Sequence, residues 1–115
     1  MRLKANMWIG AYLRRCQVEN AYALVRRRGA EDGGAIYVKV ALLDGTAQLY
    51  APAPQTAYTD DDSASERLFA AQFGGQPVPE DKVESQLRRE IDFDPDIWII
   101  EVEDRQGRHY LDDWL

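Results

Sequence analysis

Apolar residues recur along the chain with a helical period first and a strand period later. The first stripe has helical spacing and consists of Trp8, Ile9, Tyr12, Leu13 and Cys16. We expect Asn6 to cap the start of this helix and Asn20 to end it in the left-handed conformation. Residues 21–28 then predict a strand. Residues 29–34 contain three glycines and predict a hairpin loop.

A second hairpin is predicted where Asp44-Gly45 lies between two apolar runs, because this pair favours a two-residue type I′ turn. Such a turn places Leu43 opposite Thr46 and so sets the register of both strands. The predicted pairs on one face are Leu42 with Ala47, Val40 with Leu49 and Val38 with Ala51. On the other face, Ala41 meets Gln48 and Lys39 meets Tyr50. Pro52 and Pro54 are expected to end the hairpin.

The segment after an acidic loop at residues 59–65 supports two interpretations. Ser63 and Glu66 have the spacing of a capping box, which indicates a short helix. Phe69, Ala71 and Phe73 alternate as in a strand. We favour the strand for residues 66–73.

The last third of the chain predicts a second helix and then a buried strand. The helix starts at Pro79-Glu80-Asp81 and stops at Asp94-Pro95, because a residue before proline avoids the helical region. Its buried stripe consists of Val83, Leu87 and Ile91. In the strand at 97–103, one face consists of Trp98, Ile100 and Val102. After a turn at 104–107, residues 108–111 are expected to pair back.

Strands in succession between helices predict an α+β fold in the order α-β-β-β-(β)-α-β-β. We expect one domain over 1–115, with a mostly antiparallel sheet of four to five strands and both helices on one face. The other face then mixes apolar and charged side chains and is our candidate binding or interface face. It carries Tyr22, Arg26, Arg28, Tyr37, Lys39, Tyr50, Ile99, Glu101 and Glu103.

Charge is unevenly distributed over the 115 residues, whose net charge is −6. Residues 1–28 hold seven basic residues and one acid, whereas residues 57–115 hold six basic and sixteen acidic residues. We interpret this as basic N-terminal elements lying against acidic C-terminal ones. One cysteine, no signal-peptide pattern and no long apolar run predict a cytoplasmic protein without a membrane span.

Several chemistries are excluded by the residues present. Pro95-Asp96 with Glu101 and Glu103 imitates a metal-dependent nuclease, but the two acids are too close for separate strands and the expected lysine is absent. We expect Glu101 and Glu103 to pair with Arg26, Arg28 or Lys39 instead. With a single histidine, His109, we predict no metal site and no cofactor, and the catalytic residues of any activity stay unknown.

The arginines and the C-terminus offer two further interpretations. Arg14, Arg15 and the 26–28 triplet could hold nucleic-acid phosphates, but an acidic chain opposes this, so we do not favour nucleic acid as a partner.

Residues 110–115 could dock in a partner's groove or cover their own core, and we favour the second.

The chain resembles domain-of-unknown-function family 1491, a family of small bacterial proteins without an assigned function. The resemblance covers nearly the whole chain and is most distinctive in Phe93-Asp-Pro-Asp-Ile-Trp98 with Glu101-x-Glu-Asp104. Trp8-Ile-x-Ala-Tyr-Leu-Arg-Arg15, Arg27-Arg28-Gly29 and Gly34-Ala35-Ile36 also carry it. The resemblance implies a bacterial, cytoplasmic, single-domain protein and no site residues.

These observations favour a small non-enzymatic binding or protein–protein interaction module that self-associates or holds another protein through the candidate face. An alternative is a small enzyme whose carboxylate/arginine site combines Glu101 and Glu103 with Arg26 and Arg28. That alternative requires a cavity at these side chains. An arginine-mediated nucleic-acid binder is the third hypothesis.

Overall fold

A computed structural model describes residues 3–54 and 67–115. The elements in chain order are α1 (Ala5–Val18), β1 (Tyr22–Arg27), β2 (Ile36–Ala41), β3 (Thr46–Pro52), β4 (Phe69–Ala71), β5 (Val78–Pro79), α2 (Glu80–Phe93) and β6 (Trp98–Glu103). The α+β class and the largely antiparallel sheet are therefore confirmed.

The six strands form one sheet in the order β1-β6-β2-β3-β4, and β5 also pairs with β3. Strand β6 lies between β1 and β2, antiparallel to the first and parallel to the second. The prediction that residues 29–34 close a hairpin is therefore wrong, since β1 and β2 are not neighbours. The loop instead passes close to the chain entering β6, where a Cβ on Gly29 would lie 2.2 Å from the Asp96 carbonyl oxygen.

The β2–β3 hairpin is confirmed, but its register differs by one residue from the prediction. Val38 pairs with Tyr50 and Ala41 with Ala47, because the turn contains three residues rather than two. Leu43 takes the left-handed conformation at φ 65°, and the Asp44 carboxylate accepts the Thr46 N–H at 2.9 Å. A shift of one residue exchanges the faces of a strand, so Leu49 and Tyr50 lie opposite to where the turn predicted them.

The two helices cover opposite faces of the sheet, so the prediction that both pack on one face is wrong. Helix α1 packs its stripe, including Trp8 and Tyr12, against Val38, Ile100 and neighbouring residues. The second core lies under α2. Its buried members are Ala47, Leu49, Val83, Leu87, Ile97 and Ile99. The face predicted to be open is therefore covered by α2.

The ends of both helices follow from local hydrogen bonds. Helix α1 begins at Ala5, and the Ala5 and Asn6 N–H groups donate to the carbonyls of Asp32 and Glu31, so Asn6 is not the N-cap. Asn20 has φ 61°, as predicted for the residue that ends the helix. Helix α2 starts and stops where predicted, between Pro79 and Asp94.

The segment whose sequence supports either a strand or a helix contains β4, followed by a 3₁₀ turn at Phe73–Gly75. The strand interpretation is confirmed for Phe69–Ala71, while Phe73 lies in the turn at φ 55°. The capping-box prediction at Ser63 and Glu66, with the acidic loop at 59–65, falls outside the described residues.

The C-terminal segment covers the chain's own core. Leu111 is fully buried, and the Trp114 ring packs edge-on against Trp8 with centroids 5.1 Å apart. Residues 108–111 form no strand, contrary to prediction. The Tyr12 hydroxyl donates to the His109 carbonyl and holds this segment against α1.

Within the described ranges, neither helix has the length and apolar character that a membrane crossing requires.

Candidate functional site

Three of the predicted site residues meet beneath α2 in a connected set of charges that we call the ion network. It consists of Arg26, Lys39, Glu80, Glu84 and Glu101. A bulge in β1 between Val25 and Arg27 leaves Arg26 as an extra residue opposite β6. Glu80 and Glu84 are one helical turn apart at the start of α2 and so point to the same side.

The distances in the ion network show close, multiple pairing. The Arg26 guanidinium donates to both Glu84 carboxylate oxygens at 2.7 and 2.8 Å, and to Glu101 Oε1 at 3.0 Å. Lys39 Nζ lies 2.6 Å from a carboxylate oxygen of Glu80 and of Glu84, and 3.7 Å from Glu101. The Lys39 side chain is only 3% exposed. The predicted pairing of Glu101 with Arg26 and Lys39 is therefore present.

Mutual pairing favours the charged forms of Glu84, Arg26 and Lys39. Hydrogen bonds from Arg26, and then from Lys39, lower the pKa of Glu84 from 4.5 to about 2 although burial opposes the shift. The pKa of Arg26 is raised, chiefly by its hydrogen bonds to Glu84. Burial lowers the pKa of Lys39, but its bonds to Glu80 and Glu84 outweigh burial and raise it overall. These three side chains therefore stay charged near neutral pH.

The remaining predicted site residues are dispersed over the molecule. Tyr37 donates to Glu90 of α2 at 3.0 Å, and Ile99 is buried under the same helix. Tyr50 lies on the α1 face with its ring 5.0 Å from His109. The Arg28 guanidinium lies 5.3 Å from the centroid of the Trp98 ring, at the far end of the sheet.

Tyr22 and Glu103 are direct cross-strand neighbours at the end of the sheet where β1 begins and β6 ends. Both line a cavity of about 450 Å³. A second cavity of about 440 Å³ adjoins it, and the two share Glu19, Arg108 and Tyr110. We call the two together the sheet-end cleft.

Buried Asp104 lines the sheet-end cleft and is held by several hydrogen bonds. One of its carboxylate oxygens accepts the Tyr110 hydroxyl at 2.7 Å and Arg108 Nε at 2.9 Å, and the other accepts the Gln106 N–H at 2.8 Å. Burial raises the pKa of Asp104, but these hydrogen bonds lower it by more. Asp104 is thus fixed as an anion that orients the loop at 104–110.

Sequence reasoning missed Glu80, Glu84 and the sheet-end cleft. Glu80 was interpreted only as part of the helix start, where an acid is favourable, and Glu84 was assigned no role. Their spacing of four residues was a usable signal, since it places both on the side of α2 that meets the sheet once the helix is assigned to that face. The cleft had no local signal, because it combines turns that are distant in sequence.

Most of the arginines proposed to bind nucleic acid are engaged within the chain. Arg15 pairs with Asp113 at 3.2 Å, and Arg27 donates to the carbonyls of Pro95 and Ile97 at 2.9 Å each. Arg26 belongs to the ion network. No group of three or more metal-ligating side chains occurs in residues 3–54 and 67–115.

Comparison with solved structures finds similar proteins over nearly the full chain. A DUF1491 family protein from Caulobacter crescentus is 32% identical, with a TM-score of 0.76 over 96% of this chain and 94% of that chain. Protein Atu0922 from A. tumefaciens is 40% identical, with a TM-score of 0.74 over 90% of this chain and 86% of that chain. A search of curated proteins finds no match. The family described as "Protein of unknown function (DUF1491)" matches residues 3–112, as the resemblance indicated, so the chain belongs to this family.

Proposed function

We propose that the protein is a small, cytoplasmic, non-enzymatic module that binds another protein through the sheet-end cleft. The observation that carries this proposal is the cleft itself, formed by two adjoining cavities of about 440 and 450 Å³. Both cavities are open to solvent and lined by polar and apolar side chains, so side chains of another protein can enter them. Most of the sheet face that first suggested self-association lies under α2, and its end at Tyr22 and Glu103 lines the cleft.

Exposed apolar side chains at this end of the sheet support a protein partner. Tyr22 and Leu43 line the cleft and are 60% and 47% exposed, and Val18, next to the cleft residue Glu19, is 79% exposed. Aromatic and apolar residues surrounded by polar ones are typical of protein interfaces, which have an apolar centre and a polar rim.

The backbone around the cleft is held in a costly conformation at two residues. Leu43 and Tyr110 both line the cleft and have φ of 65° and 59°. A left-handed conformation costs a residue such as leucine about 1–2 kcal/mol and often accompanies a binding site. Two such residues at one cavity support a binding role for it.

The competing hypotheses have less support. An enzyme built on Arg26 and Glu101 needs a cavity at these side chains, but neither lines the cavities that form the cleft. The arginines of the nucleic-acid hypothesis are largely paired, and the net charge of −6 repels phosphates.

Peptide display on the immobilised protein, followed by NMR titration of ¹⁵N-labelled protein with the selected peptides, tests the proposal. We expect the peptides to shift the backbone amides of residues 19–22, 43 and 103–110. Tyr22→Ala should weaken their binding, whereas Arg28→Ala, at the far end of the sheet, should not. Selected peptides that shift only amides elsewhere, or that bind Tyr22→Ala unchanged, would contradict the cleft as the binding surface.

A further inference from the structure

One carboxylate on the face of β6 that carries Glu101 lacks the cation that its neighbour has. Glu101 and Glu103 project from the same face of β6, because they are two residues apart on a strand. Glu101 is paired with Arg26 at 3.0 Å and with Lys39 at 3.7 Å. Within residues 3–54 and 67–115, the Glu103 carboxylate makes no hydrogen bond or ion pair, although the residue is only partly exposed.

An aromatic ring stands beside this unpaired carboxylate. Tyr22 is the direct cross-strand partner of Glu103, so the two side chains lie next to each other on the same face. The Tyr22 side chain is 60% exposed and, in the described part of the chain, makes no ring or hydrogen-bond contact. A carboxylate beside an accessible aromatic ring suits an ammonium or guanidinium group, which pairs with the first and is attracted to the face of the second.

We infer that the sheet-end cleft receives a Lys or Arg side chain from an extended segment of a partner protein, with the cationic group between the Glu103 carboxylate and the Tyr22 ring. The inference rests on the proposed function and names the chemistry of its partner. Leu43 lines the same cavity and offers an apolar surface for the partner's neighbouring residues. The partner's cation would pair with Glu103 as Arg26 and Lys39 pair with Glu101.

The other charges of the cavity modify this attraction without reversing it. Glu19 is exposed and adds a second carboxylate. Arg108 is paired with Asp104 at 2.9 Å. Arg105 is exposed and makes no ion pair in the described residues, so it repels an incoming cation. Removing Arg105 should therefore strengthen binding, an effect opposite in sign to the removal of Glu103.

The test uses three capped peptides, Gly-Ser-Leu-X-Leu-Ser-Gly, in which X is lysine, norleucine or glutamate, titrated into the ¹⁵N-labelled full chain. We expect the lysine peptide to shift the amides of Tyr22 and Glu103 and to bind about tenfold more tightly than the norleucine peptide, as a desolvated cation contact implies. Glu103→Gln should abolish that preference, and Arg105→Ala should increase it. Asp92→Asn removes an exposed carboxylate at the far end of α2 and is the matched control. It should change neither the affinity for the lysine peptide nor the preference for it over the norleucine peptide.

Equal affinity for the lysine and norleucine peptides, or an unchanged preference in Glu103→Gln with a normal thermal melt, would overturn the inference. Tightest binding of the glutamate peptide at the same amides would also overturn it, yet would leave the cleft as the binding surface. Failure of the displayed peptides to reach the cleft, in contrast, would remove the proposed function itself.

Discussion

Glu84→Gln is a direct test of how strongly the ion network stabilises the docking of α2. Glutamine keeps the shape of the side chain but imitates the protonated carboxyl. The pKa of Glu84 falls from 4.5 to about 2 in the folded state. A shift of this size corresponds to up to about 3 kcal/mol of stability, because each pKa unit is worth about 1.4 kcal/mol.

The sign of the pH dependence follows from the lowered pKa. A carboxyl whose folded-state pKa is depressed contributes stability that is fully present above its unfolded value and is lost as the pH falls through the folded value. The contribution of Glu84 should therefore be complete above pH 4.5 and should disappear towards about pH 2. The Gln variant lacks this contribution at every pH.

Urea unfolding followed by circular dichroism provides the measurement. At neutral pH we expect Glu84→Gln to be less stable than the parent by about 3 kcal/mol, and the difference should narrow to about 1 kcal/mol near pH 2.5. Asp92→Asn, which alters an exposed carboxylate outside the network, should stay within about 0.5 kcal/mol of the parent throughout. A difference between parent and Glu84→Gln that does not change with pH would refute the reasoning.

Three further substitutions test the turns and the tail. At Leu43, glycine should give a more stable protein than alanine by about 1 kcal/mol in urea unfolding, because φ is 65°; the reverse order would exclude strain there. Gly29→Ala should lower stability by about 3 kcal/mol or prevent folding, since its Cβ would lie 2.2 Å from the Asp96 carbonyl oxygen. Gly33→Ala is its control, because a Cβ there meets nothing within 4 Å. Equal melting temperatures of the two variants would contradict the close packing at Gly29. Trp114→Ala should lower stability by about 2 kcal/mol through lost aromatic packing, and an unchanged melt would show that the tail does not dock.

Local patterns in the sequence predicted most elements but not how they assemble. The stripes of both helices, the Asp94-Pro95 stop and the left-handed Asn20 each depend on nearby residues, and each is confirmed. The face covered by α2 could not be predicted from alternation. Strands β2 and β6 are buried on both sides, so their apolar residues do not mark one face as interior.

The candidate site shows the same division between local and long-range information. The pairing of Glu101 with Arg26 was predictable from strand chemistry. The error in the β2–β3 register came from Leu43, since a leucine in the left-handed conformation adds a residue to the turn that composition does not signal. Assigning Lys39 and Leu49 to opposite faces then concealed the buried position of Lys39 between α2 and the sheet.

The insertion of β6 between β1 and β2 makes completion of the sheet depend on a strand that follows the first one by about 80 residues. Tyr22 of β1 pairs with Glu103 of β6, and such non-local pairing slows folding because a large loop must close first. During synthesis, β1 and β2 emerge before the strand that lies between them, and the edges that face β6 stay unpaired until it is made. Chains truncated before Trp98 should therefore aggregate instead of forming a smaller sheet.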